Sequence, residues 1–292
     1  MIAHRTARLA ILTLIALGFG PAAHAQIASA TGMFERRLSV SGPVDLDVRT
    51  GSGSIEIRRG ASSEVRIIGT IKAQRGFWNL SSAEERVQAV QAAPPIEQSG
   101  NSIRIGQFRN ESLGNNVSIS YEIQVPTETS LRSRTGSGSQ RIDSLTGRLE
   151  VSTGSGSLRI GQITGAVTAS TGSGSIQVLG ASEGLNARTG SGSIEAAGVK
   201  GALRAHTGSG GVNVEGNPTS DWTVQTGSGG IGLRLPSTAA FALDARSGSG
   251  SINTSHPLVM RGSLSRRHLQ GQVRGGGPLV TVSAGSGSIR LE

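Results

Sequence analysis

Thr135, Thr153, Thr171, Thr189 and Thr207 each open a Thr-Gly-Ser-Gly run, and one constant interval of 18 separates each from the next. The intervals onward to Thr226 and Ser247 are 19 and 21; an earlier unit opens at Thr50, and Ala284 holds the same place in the last one. A flexible linker has no reason to keep such register, and a loop that cradles a phosphate is needed once. Self-similarity with a period of roughly 20 residues marks a chain that winds into stacked coils.

One period reads as strand, arc, strand, turn. Leu149-Glu150-Val151-Ser152-Thr153 alternates apolar or small residues with polar ones, the period-2 pattern of a half-buried strand. Gly154-Ser155-Gly156-Ser157 interrupts it, Leu158-Arg159-Ile160 alternates again, and Ile163 with Thr164-Gly165 closes the coil. Val167, Ala169, Thr171, Ile176 and Val178 repeat the inward set one period later, and Trp222, Val224, Leu243 and Ala245 keep the phase. Strands that recur with one face inward can pair in parallel about 4.8 Å apart. The fold expected is all-β: a parallel β-solenoid, that is, a two-sheet β-helix of ~18-residue coils, each stacked on its sequence neighbour. Glycine at the arc is expected to supply φ values that side chains resist, and serine to bond local backbone. The inward threonines are expected to form hydrogen-bonded ladders. One coil buries too few aliphatic side chains to offset the ordering of its own backbone, so stability must come from stacking.

The irregular ends read as caps. Residues 64–72 read as a strand, and Ser82-Ala83-Glu84-Glu85 is a capping box opening a short helix that must end before Pro94-Pro95. Residues 102–108 and 117–125 read as a strand pair around a Gly-Asn-Asn loop. Residues 26–130 are therefore assigned to a first coil with a β-rich N-terminal cap carrying one short helix. Residues 131–292 are assigned to the regular solenoid, with a Gly-rich excursion at 258–282 in place of a coil.

Arg5 and Arg8, the apolar run 9–19 and Ala23-His24-Ala25 read as a secretory signal peptide over residues 1–25, cleaved before Gln26. The apolar run falls well short of the about 20 residues that a helix needs to span a bilayer. The mature chain is expected to be exported, periplasmic or extracellular, with no membrane span. Lacking any cysteine, it has neither a lipoprotein attachment site nor disulfides. Without Arg5 and Arg8, 26 basic residues face 19 acidic ones, a net of +7. That balance favours acidic polymers. Aromatic residues make up only 3% of the chain and leave few platforms on which bases could stack, so nucleic acid is not an expected partner.

The tandem Thr-Gly-Ser-Gly-Ser-Ile/Leu-x-Ile units resemble the bacterial "putative adhesin" family of exported β-strand-repeat proteins, a domain of unknown function. Tyr121-Glu-Ile-Gln-Val-Pro126 before the first regular coil and the closing Gly275-Gly-Gly…Gly-Ser-Gly-Ser-Ile289 unit carry the same resemblance, which covers residues 35–292. It implies the solenoid architecture and says little of activity. Many relatives carry Gly-Asp where this chain has Gly-Ser, as at Ser157, Ser175 and Ser193, and the substitution argues against cation binding at the arcs.

Reactive constellations are scarce. Gly227-Ser-Gly-Gly-Ile-Gly232 fits a dinucleotide fingerprint, but a strand ending in Pro236 follows it where a helix N-terminus is needed. The arcs contain no acid for calcium, and His206, His256 and His268 lack a second ligand at zinc spacing. The outward acids Asp47, Glu56, Glu150, Glu195 and Asp244 form no pair; Glu150 and Asp244 are expected five coils apart, far beyond the about 5–9.5 Å of glycosidase carboxylates. No catalytic, cofactor or metal residues are assigned, and the chain is not read as an enzyme. Charge remains: Arg188, Arg204 and His206 form a candidate anion patch on adjacent coils, and Arg261, Arg266, Arg267, His268 and Arg274 a second basic cluster. The reading is an exported, non-catalytic β-solenoid acting as a structural or adhesin-like interaction surface at the bacterial cell envelope. Its partner would be an anionic envelope polysaccharide or another envelope protein. The alternative is a polysaccharide-active β-helix enzyme with its site at a cap.

Overall fold

The computed structural model describes residues 29–74, 82–108, 114, 116–260 and 265–292. The signal segment 1–25 and Arg261 lie outside the described residues. Two sheets of 13 strands each face one another across a single hydrophobic core. In the front sheet Leu149–Thr153 pairs in parallel with the strands one period before and after it, Leu149 opposite Leu131 and Val167, Thr153 opposite Thr135 and Thr171. In the back sheet Leu158–Thr164 pairs likewise with Gln140–Ile142 and Ile176–Ala181. The alternation places Leu149, Val151, Leu158, Ile160 and Ile163 in the core, as read from the sequence.

At the arcs the inward threonines bond the neighbouring coil's backbone and not one another. Thr153 Oγ1 donates to the Gly138 carbonyl at 2.9 Å, Thr171 to Gly156 at 2.9 Å, Thr189 to Gly174 at 2.8 Å and Thr207 to Gly192 at 2.8 Å. Ser247 makes the same bond to Gly287 at 2.8 Å. The glycines are required for a different reason than expected. Neither Gly154 nor Gly156 has φ in the left-handed region. A Cβ on Gly154 would lie 2.5 Å from the Gly136 oxygen, and one on Gly156 2.2 Å from that of Gly138. Close approach of stacked backbones excludes every side chain there, and left-handed φ appears only at some later arcs such as Gly210, at 151°.

The N-terminal cap departs from the hairpin read at 102–108 and 117–125. Ser102–Ile105 joins the front sheet and Val117–Val125 the back sheet, each parallel to the first coil, Val44–Thr50 and Ile55–Arg59. They are two halves of one coil, a distinction that alternation within each strand cannot make. That coil lies outside the first one, whose other side meets Thr129–Thr135 and Gln140–Ile142. Glu64–Gln74 then runs antiparallel on Val117–Val125, with Ser29–Ser39 antiparallel on its far side. Helix Ala83–Ala92 starts at the predicted capping box: Glu85 N donates to Ser82 Oγ at 3.1 Å, and Ser82 N to Glu85 Oε2 at 3.0 Å.

The other end is also interleaved. Leu279–Ser286 lies between Trp222–Ser228 and Phe241–Ser247, and Ile289–Leu291 between Ile231–Arg234 and Ile252–Thr254. The last coil of the sequence is therefore inserted between two earlier ones. Leu243 and Ala245 keep their inward phase but stack on Val280 and Val282, not on Trp222 and Val224. Residues 236–240, which must step past the inserted coil, can span about 16 Å, enough for two rung steps of ~4.8 Å. The excursion expected at 258–282 is shorter: Leu258–Met260 and His268–Val273 form antiparallel strands that close the front sheet, and 279–282 belong to the inserted coil.

The chain's lack of cysteine allows a direct check of stacking order. Thr223→Cys with Thr281→Cys, on adjacent strands, is expected to form an intramolecular disulfide, read by mobility with and without reductant. Thr223→Cys with Asp244→Cys, two rung steps or roughly 10 Å apart, is expected to form none, since bridged Cα atoms lie within about 7 Å. Thr171→Val should lower unfolding stability by about 1 kcal/mol in urea denaturation through loss of the bond to Gly156. Ala284→Thr, which restores a hydroxyl facing the preceding arc, should raise it.

Candidate anion-binding face

Along the parallel front-sheet strands, register aligns two outward positions per strand into two columns that follow the solenoid axis. One column runs Asp47, Arg132, Glu150, Thr168, Asn186, Arg204, Thr223, Thr281, Asp244. The other runs Arg49, Arg134, Ser152, Ser170, Arg188, His206, Gln225, Ser283, Arg246. Glu150 and Asp244 are thus six rung steps apart, one more than expected, because the inserted coil lies between them.

Most arginines of this face are held by a carboxylate. Arg49 bonds Asp47 at 2.9 Å, Arg134 bonds Glu150 at 2.8 Å with Arg132 on its other oxygen at 3.2 Å, and Arg246 bonds Asp244 at 3.1 Å. The signal for these pairs was in the sequence. In Asp47-Val48-Arg49 and Asp244-Ala245-Arg246 the charges stand two positions apart, so a strand puts both on one face. Hydrogen bonds from Arg134 and Arg132 hold the Glu150 carboxyl below the usual glutamate range, against a smaller opposing effect of burial.

Arg188, Arg204 and His206 come together as expected. Arg188 is directly opposite His206 on the next strand, and Arg204 is two positions from His206 on the same face. All three are exposed, and among the described residues none has an ion-pair partner. Between Glu150 and Asp244 neither column holds an acid over five consecutive strands. The exposed Asp221, just before the strand Trp222–Ser228, uses Oδ1 to accept from Leu279 N at 2.9 Å.

The second basic cluster is not one patch. His268 Nε2 lies 3.1 Å from Asp244 Oδ1, beside the Arg246 pair. Arg274 Nε donates to the Ser237 carbonyl at 2.8 Å, at a residue with φ of 50°. Arg266 and Arg267 are exposed on the turn before His268. Sequence proximity grouped these side chains, and the antiparallel strand then fixed His268 onto the front face.

A concavity lies on the other side of the molecule. It is a trough of about 720 Å³ on the outer back sheet, lined by Gln177, Leu179, Glu195, Asn213 and Arg234 among others. Glu195 is flanked there by Gln177 and Asn213, not by a second acid, and Arg234 is paired with Glu215 at 3.3 Å. Among the described residues no three His, Asp or Glu converge as metal ligands, and no helix is long and apolar enough to cross a membrane.

Stacked parallel coils and an arc column of glycine and serine define a two-sheet β-solenoid, and among the described residues its front face carries one cationic stretch without acid partners. The chain belongs to the Toastrack DUF4097 family, which it matches over residues 44–292. Similar solved structures include a "putative adhesin" of Bacteroides fragilis NCTC 9343, with 15% identity and a TM-score of 0.46, covering 89% of this chain and 97% of that one. A "putative lipid binding protein" of Parabacteroides distasonis ATCC 8503 has 14% identity and a TM-score of 0.41, covering 89% and 96%. A "putative cell adhesion protein" of Clostridium sporogenes ATCC 15579 has 15% identity and a TM-score of 0.31, covering 89% and 99%. Curated proteins yield no match.

Glu150 offers a test of the face's electrostatics. Its carboxyl should titrate below the usual glutamate range by NMR, and Arg134→Ala should raise its pKa. A depressed carboxyl contributes stability that is present above the unfolded-state pKa and lost as pH falls through the folded-state one. The contribution is small here because solvent screens the pair.

Proposed function

We propose that the protein is an exported, non-catalytic β-solenoid whose front face is an interaction surface for an anionic polysaccharide of the bacterial cell envelope. The observation that carries the reading is the contrast along one face: Arg49, Arg132, Arg134 and Arg246 are held by carboxylates, while Arg188, Arg204 and His206 stand exposed with none among the described residues. A guanidinium free of an internal partner can present its planar fork to a ligand carboxylate or phosphate. Export rests on the basic, apolar and small-residue pattern of residues 1–25.

The test is binding of the mature protein to immobilised acidic polysaccharide, with anionic lipid vesicles and a neutral glycan in parallel. Saturable binding to the acidic glycan that weakens with salt is expected, and Arg188→Ala with Arg204→Ala should weaken it about tenfold or more and flatten its salt dependence. Unchanged affinity in the double variant would dismiss the patch. Cleavage of the glycan, abolished by a single Asp or Glu change, would make the protein a polysaccharide-active enzyme instead.

A further inference from the structure

We infer that the occupant of the front face is a linear acidic polysaccharide lying along the solenoid axis, and that Thr281 and Ser283 of the inserted C-terminal coil are part of its binding tract. This rests on the anion-binding reading above and extends it to orientation, length and two further residues.

The orientation follows from what each direction offers. A polymer crossing a coil meets two outward side chains of one strand before it reaches an arc of glycine and serine. A polymer running lengthwise meets ten outward side chains on five strands, none of them acidic. Arg188, Arg204 and His206 lie in the middle of that run. On either side the columns continue in hydroxyls and amides: Thr168 and Ser170 toward one end, Thr223 and Gln225, then Thr281 and Ser283, toward the other. Cations at the centre suit the carboxylates of the polymer, and short neutral donors and acceptors beside them suit its sugar hydroxyls.

The tract is bounded by acids. Glu150 closes one end, held by Arg132 and Arg134, and Asp244 closes the other, held by Arg246 and His268. In chain order Asp244 would follow Thr223 directly and stand two rung steps from Arg204, roughly 10 Å away. Insertion of Leu279–Ser286 moves it to three steps, about 14 Å. The screening length at physiological salt is about 8 Å, so the extra rung takes the acid from near one screening length to almost two. The inserted coil lengthens the tract from four strands to five and moves Asp244 one rung farther from Arg204 and His206.

Oligogalacturonates of increasing length provide the probe, with the wild-type protein immobilised. Affinity should climb until the oligomer covers four rung steps, about 19 Å, and then level off. Thr281→Glu should weaken binding about tenfold at low salt, and Thr281→Arg should strengthen it by a similar factor, a gain that misfolding cannot produce. Asn253→Glu, on the opposite sheet, should bind as wild type. Wild-type affinity in both Thr281 variants would overturn the tract while leaving the Arg188 and Arg204 reading intact. Affinity independent of oligomer length would overturn the lengthwise orientation. Absence of binding by the wild-type protein would overturn both readings. Tighter binding of an inorganic polyphosphate of equal length would overturn the choice of a glycan.

Discussion

The contact on which the molecule depends is that between one arc and the next. Backbone lies on backbone so closely that the space for a Cβ on Gly156 is already taken by the Gly138 carbonyl. A threonine hydroxyl from inside the coil donates to the same carbonyl. Only glycine permits the approach, and only a short inward hydroxyl directly before the arc reaches the oxygen. Together they fix the register of consecutive coils at zero slip. A slip by a single position would exchange the inward and outward faces of every strand it touched.

Fixed register turns a sequence pattern into a surface. Positions one period apart become neighbours a rung away, so Arg188 and His206 meet although the chain makes a full coil between them. Acid and arginine two positions apart become pairs on one strand, which neutralises most of the face and leaves one stretch of it cationic. On the proposed reading, selectivity comes less from pocket shape than from where the pairing stops.

Much of this was legible in the chain. Alternation in Leu149–Thr153 and its counterparts gave the strands and their inward faces, because a half-buried strand has no other way to place its side chains. The capping box at Ser82 gave the helix start, since both of its hydrogen bonds are local. The meeting of Arg188, Arg204 and His206 was legible because it rests on register alone. Other features were not. The glycines were assigned to backbone torsion, whereas the cause is a carbonyl from another coil, which a local reading cannot see. Residues 102–108 and 117–125 were joined as a hairpin because alternation shows that a segment is a strand and not which sheet receives it. The second basic cluster was grouped by nearness in sequence, and a strand reversal then divided it.

The sequence alone determined what a coil is: its length, its faces and the residues that turn it. Tertiary structure decided the order in which coils stack at the two ends, with the first coil flanked on its outer side by Ser102–Ile105 and Val117–Val125 and the last one inserted ahead of residues 241–254. The physical reason is that all coils expose the same backbone edge in the same phase, so each can accept any other. Which one it accepts is set by the reach of the connecting segments and the geometry of the caps, and no pattern inside a single coil records either.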